Sequence, residues 1–282
     1  MFSINTNVAS LDAQRNLTIA QGQLSRSMQR LSSGFRINTT ADDAASLSIS
    51  ENMRSQIRSL NQATKNANDG VSLVQTAEGS LNETSAILVR MRELATQSAT
   101  GTVGSTERSY IQGEMNKLSS EIDRISNSTE FNGQKLLNGT LSGGGGKVNT
   151  MTFQIGARNT AKNDTIDLNI KQADTKTLTS SDMVNVSDQT SAQKALDTLD
   201  AAIVSISNER SNLGATQNRL QSTLNNLQVA VENTGASESR IRDVDVAAET
   251  ATMTRNNILT QAATAILSQA NQTPQAALSL LR

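Results

Sequence analysis

Apolar residues recur at three- and four-residue steps along most of this chain, and each such stripe predicts a helix. The first long one follows Asp42 and Asp43, either of which can cap a helix start. It runs through Met53, Ile57, Leu60, Ala67, Val71, Val74, Leu81, Leu88 and Ala95 and predicts a helix reaching to about Thr100. Gly70 and Gly79 lie inside it and mark close helix approach or a tolerated cost. Beyond Gly101 and Gly104, the spacing of Ile111, Met115, Leu118, Ile122 and Ile125 predicts a second helix folding back beside the first. The most regular series occupies positions 196, 199, 203, 206, 210, 213, 217, 220, 224, 227, 231 and 234. Nine of these twelve carry Leu, Ile or Val, the seam of a coiled-coil strand interrupted by Arg210, Gln217 and Thr234.

Between these blocks the period changes from helical to alternating. Met151, Phe153 and Ile155 share one face of a candidate strand, and Ile166, Leu168 and Ile170 share one face of another. The polar connection from Gly156 to Asp164 makes the pair a β-hairpin, placed at about 140–172. The Ser-, Thr- and Asp-rich stretch at about 175–191 reads as an exposed loop. The fold class is therefore mainly α: a long antiparallel bundle or coiled coil of N- and C-terminal halves, with a small β-hairpin region.

The two ends carry weaker stripes. Leu17, Leu24 and Leu31 stand seven apart, and Ile4, Val8, Leu11 and Met28 broaden the band; Ile258, Leu259, Ala262, Ala263, Ile266 and Ala270 form a matching band near the other end. Isolated helices of this kind are marginal in water, so each needs a partner, and the nearest is the other end.

Composition narrows the chemistry. The 282 residues include no histidine and no cysteine, which removes the usual neutral-pH proton carrier, the thiol nucleophile and the common transition-metal ligands. Neither the EF-hand spacing nor the metalloprotease helix motif is present, so the expectation is a non-enzyme without cofactor or metal. Four Phe, one Tyr and no Trp leave a core of Leu, Ile, Val, Met and Ala, the packing of parallel rods. A net charge of −1 with no basic–aromatic patch argues against nucleic acid. No stretch has the roughly 20 apolar residues of a membrane span, and the start lacks the pattern of a cleaved signal. Asn138-Gly139-Thr140 and Asn163-Asp164-Thr165 match the glycosylation triplet, as chance alone produces in so Asn- and Thr-rich a chain.

Several segments also resemble bacterial flagellin. Arg30-Leu31-Ser32-Ser33-Gly34-Phe35-Arg36-Ile37-Asn38 with Asp42-Asp43-Ala44-Ala45 is similar to the N-terminal signature of that family. So are Arg92-Glu93-Leu94-Ala95-Thr96-Gln97 and Glu130-Phe131-Asn132-Gly133. Ala270-Asn271-Gln272-Thr273-Pro274-Gln275, with Leu278, Leu280 and Leu281, is similar to its closing motif. The chain departs from the family pattern at Phe35, Val246 and Arg282.

The resemblance implies a filament subunit serving swimming motility, of a short type without large outer domains. It implies a terminal domain of residues 1–42 and 241–282 in the filament core and a rod-like bundle of residues 43–240. Assembly residues are then Ile4, Val8, Leu11, Leu17, Leu24, Met28, Leu31, Ile258, Leu259, Ala262, Ala263, Ile266, Leu278 and Leu281. Partners implied are other flagellin subunits, a flagellar secretion chaperone, filament cap proteins and a vertebrate Toll-like receptor, with type III export to an extracellular filament. Arg90, Leu94, Gln97 and Glu114 match the receptor surface, or serve contacts between subunits. A hook–filament junction protein and a coiled-coil adaptor are the rival readings.

Overall fold

The computed structural model describes residues 6–140, 148–158, 160, 163–179 and 184–279, with 148–149 and 273–279 described by backbone alone. Its helices are α1 (Val8–Ser33), α2 (Ala44–Ala99), α3 (Ser105–Ser128), α4 (Thr175–Thr179), α5 (Gln189–Arg242) and α6 (Val246–Ser279). Two antiparallel strand pairs complete it: β1 (Glu130–Phe131) with β2 (Gln134–Lys135), and β3 (Val148–Gln154) with β4 (Thr165–Lys171). The chain forms two compact units, Met1–Ser55 with Asn233–Arg282, and Gln56–Glu232. The limits of these units fall inside α2 and α5.

The helix starts follow capping chemistry. Asp43 Oδ1 accepts the backbone N–H groups of Ala45 and Ser46 at 3.0 Å each, and Asp43 Oδ2 accepts the Ser46 hydroxyl at 2.6 Å. Two free amide donors of the first turn are thereby satisfied. The Ser46 hydroxyl, followed by those amides, holds the Asp43 carboxyl below its ordinary range.

The larger unit is a bundle closed by a hairpin. Leu73, Leu81, Leu88 and Met91 of α2, Met115 and Ile122 of α3, and Leu199 and Ile206 of α5 are all buried in one core. The β3–β4 hairpin has the expected face: Met151 pairs with Leu168 and Phe153 with Ile166, and Ile166, Leu168 and Ile170 are buried against the helices. Gly70 does mark a close approach, since a Cβ there would lie 3.3 Å from Leu220 Cδ1 and 3.4 Å from the Phe153 ring; at Gly79 it would meet nothing within 4 Å.

Two local expectations change. Of the stretch 175–191, residues 180–183 lie outside the described residues, but the rest is not an exposed loop. Thr175 begins α4, its N–H donating to Asp123 Oδ1 (2.8 Å) and its hydroxyl to the Ser119 carbonyl (3.1 Å). Val184 and Val186 are buried; the Val186 N–H donates to Gln112 Oε1 and its carbonyl accepts the Ser98 hydroxyl, both at 2.6 Å. Thr175 and the backbone of Val184 and Val186 bond to α2 and α3, while 187–190 are exposed as expected. The β1–β2 hairpin was missed, although its turn is Asn132-Gly133 with φ of 51° and 78°, the conformation that Asn-Gly favours.

Candidate assembly surface

Helices α1 and α6 pack antiparallel. Near the start of α1 the Ser10 hydroxyl donates to Asn271 Oδ1 (2.7 Å), and at its end Arg30 lies 3.8 Å from Glu249. The residues turned inward on α1 are Ala13, Leu17, Ala20, Leu24, Ser27 and Leu31, at alternating steps of four and three. On α6 they are Glu249, Met253, Asn256, Thr260, Ala263, Leu267 and Ala270, at the same steps. Both are heptad seams, and in each the most buried positions are small or polar: Ala13, Ala20 and Ser27 against Asn256 and Ala270. Small residues bring the helix axes close and need few large side chains to fill the gap.

Pro274 lies within α6 and has no N–H to donate to the carbonyl of Ala270, four residues earlier. The Asn7 side-chain amide donates to that carbonyl instead, at 2.7 Å. Asn7 also caps α1, its Oδ1 accepting the Ser10 N–H at 3.1 Å. One side chain therefore satisfies a free backbone group on each helix of the pair.

A second set of large apolar residues points the other way. Val8, Leu11, Ile19 and Met28 on α1 are exposed, as are Val246, Ile258, Leu259 and Ile266 on α6, with Ile258 and Ile266 each 60% exposed. A groove of about 930 Å³ runs along the outer face of α6 between Val246, Ala251, Thr254, Ile258 and Leu259. The terminal assembly set thus divides. Leu17, Leu24, Leu31 and Ala263 line the intramolecular seam, whereas Val8, Leu11, Met28, Ile258, Leu259, Ala262 and Ile266 are outside it. Ile4 and Leu281 lie outside the described residues, and Leu278 belongs to α6 by its backbone.

Beyond the seam, the α1–α2 linker is clasped to the α5–α6 junction. Gly34 closes α1 in the left-handed conformation at φ 75°, which a Cβ would strain. The linker then pairs with the junction: the Arg36 N–H donates to the Arg242 carbonyl (2.7 Å) and the Val244 N–H to the Gly34 carbonyl (3.0 Å). The Arg242 guanidinium stacks 4.6 Å over the Phe35 ring and donates to Glu51 Oε1 at 2.6 Å. That bond, with a second from Arg54, holds the Glu51 carboxyl below its ordinary range.

Of the four residues matched to a receptor surface, Arg90, Gln97 and Glu114 are exposed and Leu94 is not. Arg90 is exposed and donates to Glu114 Oε1 through Nε (3.2 Å) and Nη2 (2.9 Å), which raises its pKa, with Glu93 adding to the effect. Gln97 is exposed. Leu94 is only 2% exposed and belongs to the core. Four helical residues advance about 400°, so Leu94 is rotated some 40° from Arg90, enough to cross from the solvent edge into the bundle.

Among the described residues no group of three acidic side chains converges as a metal site, and no helix is long and apolar enough to cross a membrane. Paired terminal helices that carry an uncovered apolar face define a self-associating structural subunit. Residues 4–142 match the bacterial flagellin N-terminal helical region and residues 196–281 its C-terminal helical region. Flagellin of Halalkalibacterium halodurans is 47% identical over 280 residues, covering 99% of each chain, and that of Bacillus subtilis 48% over 308 residues, also covering 99% of each. The 33 kDa flagellar filament core protein of Treponema phagedenis is 44% identical, again over 99% of each. A crystal structure of Bacillus cereus flagellin aligns with a TM-score of 0.50 at 38% identity, covering 58% of this chain and 88% of that one.

The chain belongs to the bacterial flagellin family. It is of the short type without a variable domain, and it is a structural subunit of the flagellar filament, polymerising with other flagellin subunits rather than catalysing a reaction.

Proposed function

We propose that the outer face of the terminal helix pair is the surface that neighbouring subunits cover in the filament core. One observation carries this reading: α6 is apolar on two faces, and only one of them is covered within the chain. Residues such as Ile258, Leu259 and Ile266 face water in the free subunit, and their burial drives association at roughly 25 cal/mol per Å² before ordering entropy is subtracted. On this reading residues 1–40 and 245–282 order fully only as the polymer forms.

The route to that polymer follows the same logic. A chain without cysteine and with few bulky aromatics can pass a narrow channel unfolded, which supports type III export to an extracellular filament. A secretion chaperone would shield the apolar ends on the way, and cap proteins would receive the subunit at the tip. Arg90, Gln97 and Glu114 form the exposed part of the surface assigned to subunit contacts or a Toll-like receptor, and Leu94 supports them from below.

Since the chain has no native thiol, single cysteines test the assembly surface directly. Ile258→Cys should react readily with a maleimide in dilute monomer and be protected in filaments. Equal reactivity of position 258 in both states would overturn the proposal.

A further inference from the structure

We propose that Asn132 is a site of spontaneous deamidation, selected by the fold over the chain's other Asn-Gly pair. The sequence contains two such pairs, Asn132-Gly133 and Asn138-Gly139. In both the following residue lacks a Cβ, so its main-chain nitrogen can approach the side-chain amide. The structure separates them. At the tip of the β1–β2 hairpin Asn132 and Gly133 are exposed, and among the described residues neither the Asn132 side chain nor the Gly133 N–H has a hydrogen-bond partner. Asn138 is half-buried, and its Oδ1 accepts both the N–H of Thr140 (3.1 Å) and its hydroxyl (2.7 Å). That grip holds the Asn138 amide plane against the turn. Asp69-Gly70, the related acidic pair, lies inside α2, where the main-chain nitrogen is part of the helix ladder.

The chemistry needs only water and a base. The Gly133 nitrogen loses its proton to hydroxide or buffer and bonds to Asn132 Cγ. The Cγ–Nδ2 bond then breaks, and Nδ2 takes a proton from water and leaves as ammonia. One water molecule opens the resulting five-membered imide at either carbonyl, giving an aspartyl or an isoaspartyl linkage. The hairpin is held by just two residue pairs, Glu130 with Lys135 and Phe131 with Gln134, so the turn can reach the reactive geometry without disturbing the core.

Each product leaves a mark. Either one sets a new carboxylate near Glu130, whose own carboxylate is held by Lys135 Nζ at 2.5 Å. The isoaspartyl form also adds a carbon to the main chain of a two-residue turn, which breaks the pairing of Phe131 with Gln134 next to buried Leu136 and Leu137. A subunit locked in a polymer would accumulate this change with age.

The test is peptide mapping by mass spectrometry of the full chain, as monomer and as filament, incubated at mildly alkaline pH beside the same chain unfolded in urea. In the folded chain position 132 should lose its amide at least several-fold faster than position 138, and in urea the two should convert at similar rates. Isoaspartyl should be detectable at 132, and Asn132→Gln should abolish the change there while leaving 138 as before. Equal or faster conversion at 138 in the folded chain overturns the proposal. So does no conversion at 132 by the time the urea sample has reacted, or the same preference in urea, which would trace it to sequence rather than fold.

Discussion

Replacing Ile258 and Ile266 together by serine separates the two faces of α6. Each is 60% exposed in the free subunit, so that fraction of its apolar surface remains to be buried on assembly. Full burial of an isoleucine is worth about 1.5–3 kcal/mol, which leaves about 1–2 kcal/mol per residue and about 2–4 kcal/mol for the pair. At 1.4 kcal/mol per decade the critical concentration for polymerisation should rise roughly 20- to 400-fold. The free subunit should barely notice, because surface substitutions away from special features stay within about 0.5 kcal/mol. Sedimentation of filaments from a concentration series gives the first quantity, and urea unfolding of the monomer gives the second. An unchanged critical concentration would refute the assignment of this face. A large loss of monomer stability would show instead that the face is already covered within the subunit.

Four further outcomes follow from the same structure. Leu168→Ala, at a residue 1% exposed beneath the hairpin, should cost about 2–5 kcal/mol in urea unfolding, whereas Val204→Ala, on the surface of α5, should cost under about 0.5 kcal/mol. Gly79→Ala should stabilise by about 0.5–1 kcal/mol, since a Cβ there meets nothing and the residue is mid-helix; a loss in urea unfolding would contradict the open space. Because the Arg242 bond depresses the Glu51 pKa, the linker clasp is fully stabilised above the ordinary glutamate range and weakens as pH falls through the depressed value. Exchange of the Arg36 and Val244 amides, corrected for intrinsic rate, should accelerate in acid, and Glu51→Gln should flatten that profile. Amides of residues 7–33 and 246–270 should exchange quickly in dilute monomer and slowly in filaments; strong protection in the monomer would place their folding before assembly.

Much of the helical fold was legible because its signals do not compete. Either residue of Asp42-Asp43 marks the same helix start, the α5 stripe keeps one heptad register from Leu196 to Val231, and strict alternation allowed only one face for Ile166, Leu168 and Ile170. The ends were harder because each carries two stripes. A reading weighted by hydrophobicity picks out Ile258, Ile266 and Met28, yet the seam within the chain is built on Ala13, Ala20, Ser27 and Ala270, whose value is the space they leave. Leu94 was misplaced on the surface because α2 packs against neighbours over much of its circumference, so residues one turn apart need not share exposure. The stretch 175–191 looked solvated by composition, but Thr175 and Gln112 spend their polar groups on backbone partners, which composition cannot reveal.

A seam that repeats every seven residues has an ambiguity built into it: sliding α6 by one heptad along α1 would again set small residues against small residues. Tape with a periodic pattern needs an index mark. Asn7 supplies one, because its amide donates to the carbonyl that Pro274 leaves unclaimed at Ala270. A slipped pair would leave that carbonyl empty. The single proline of the chain therefore works as a ruler's zero, setting the register in which α1 meets α6.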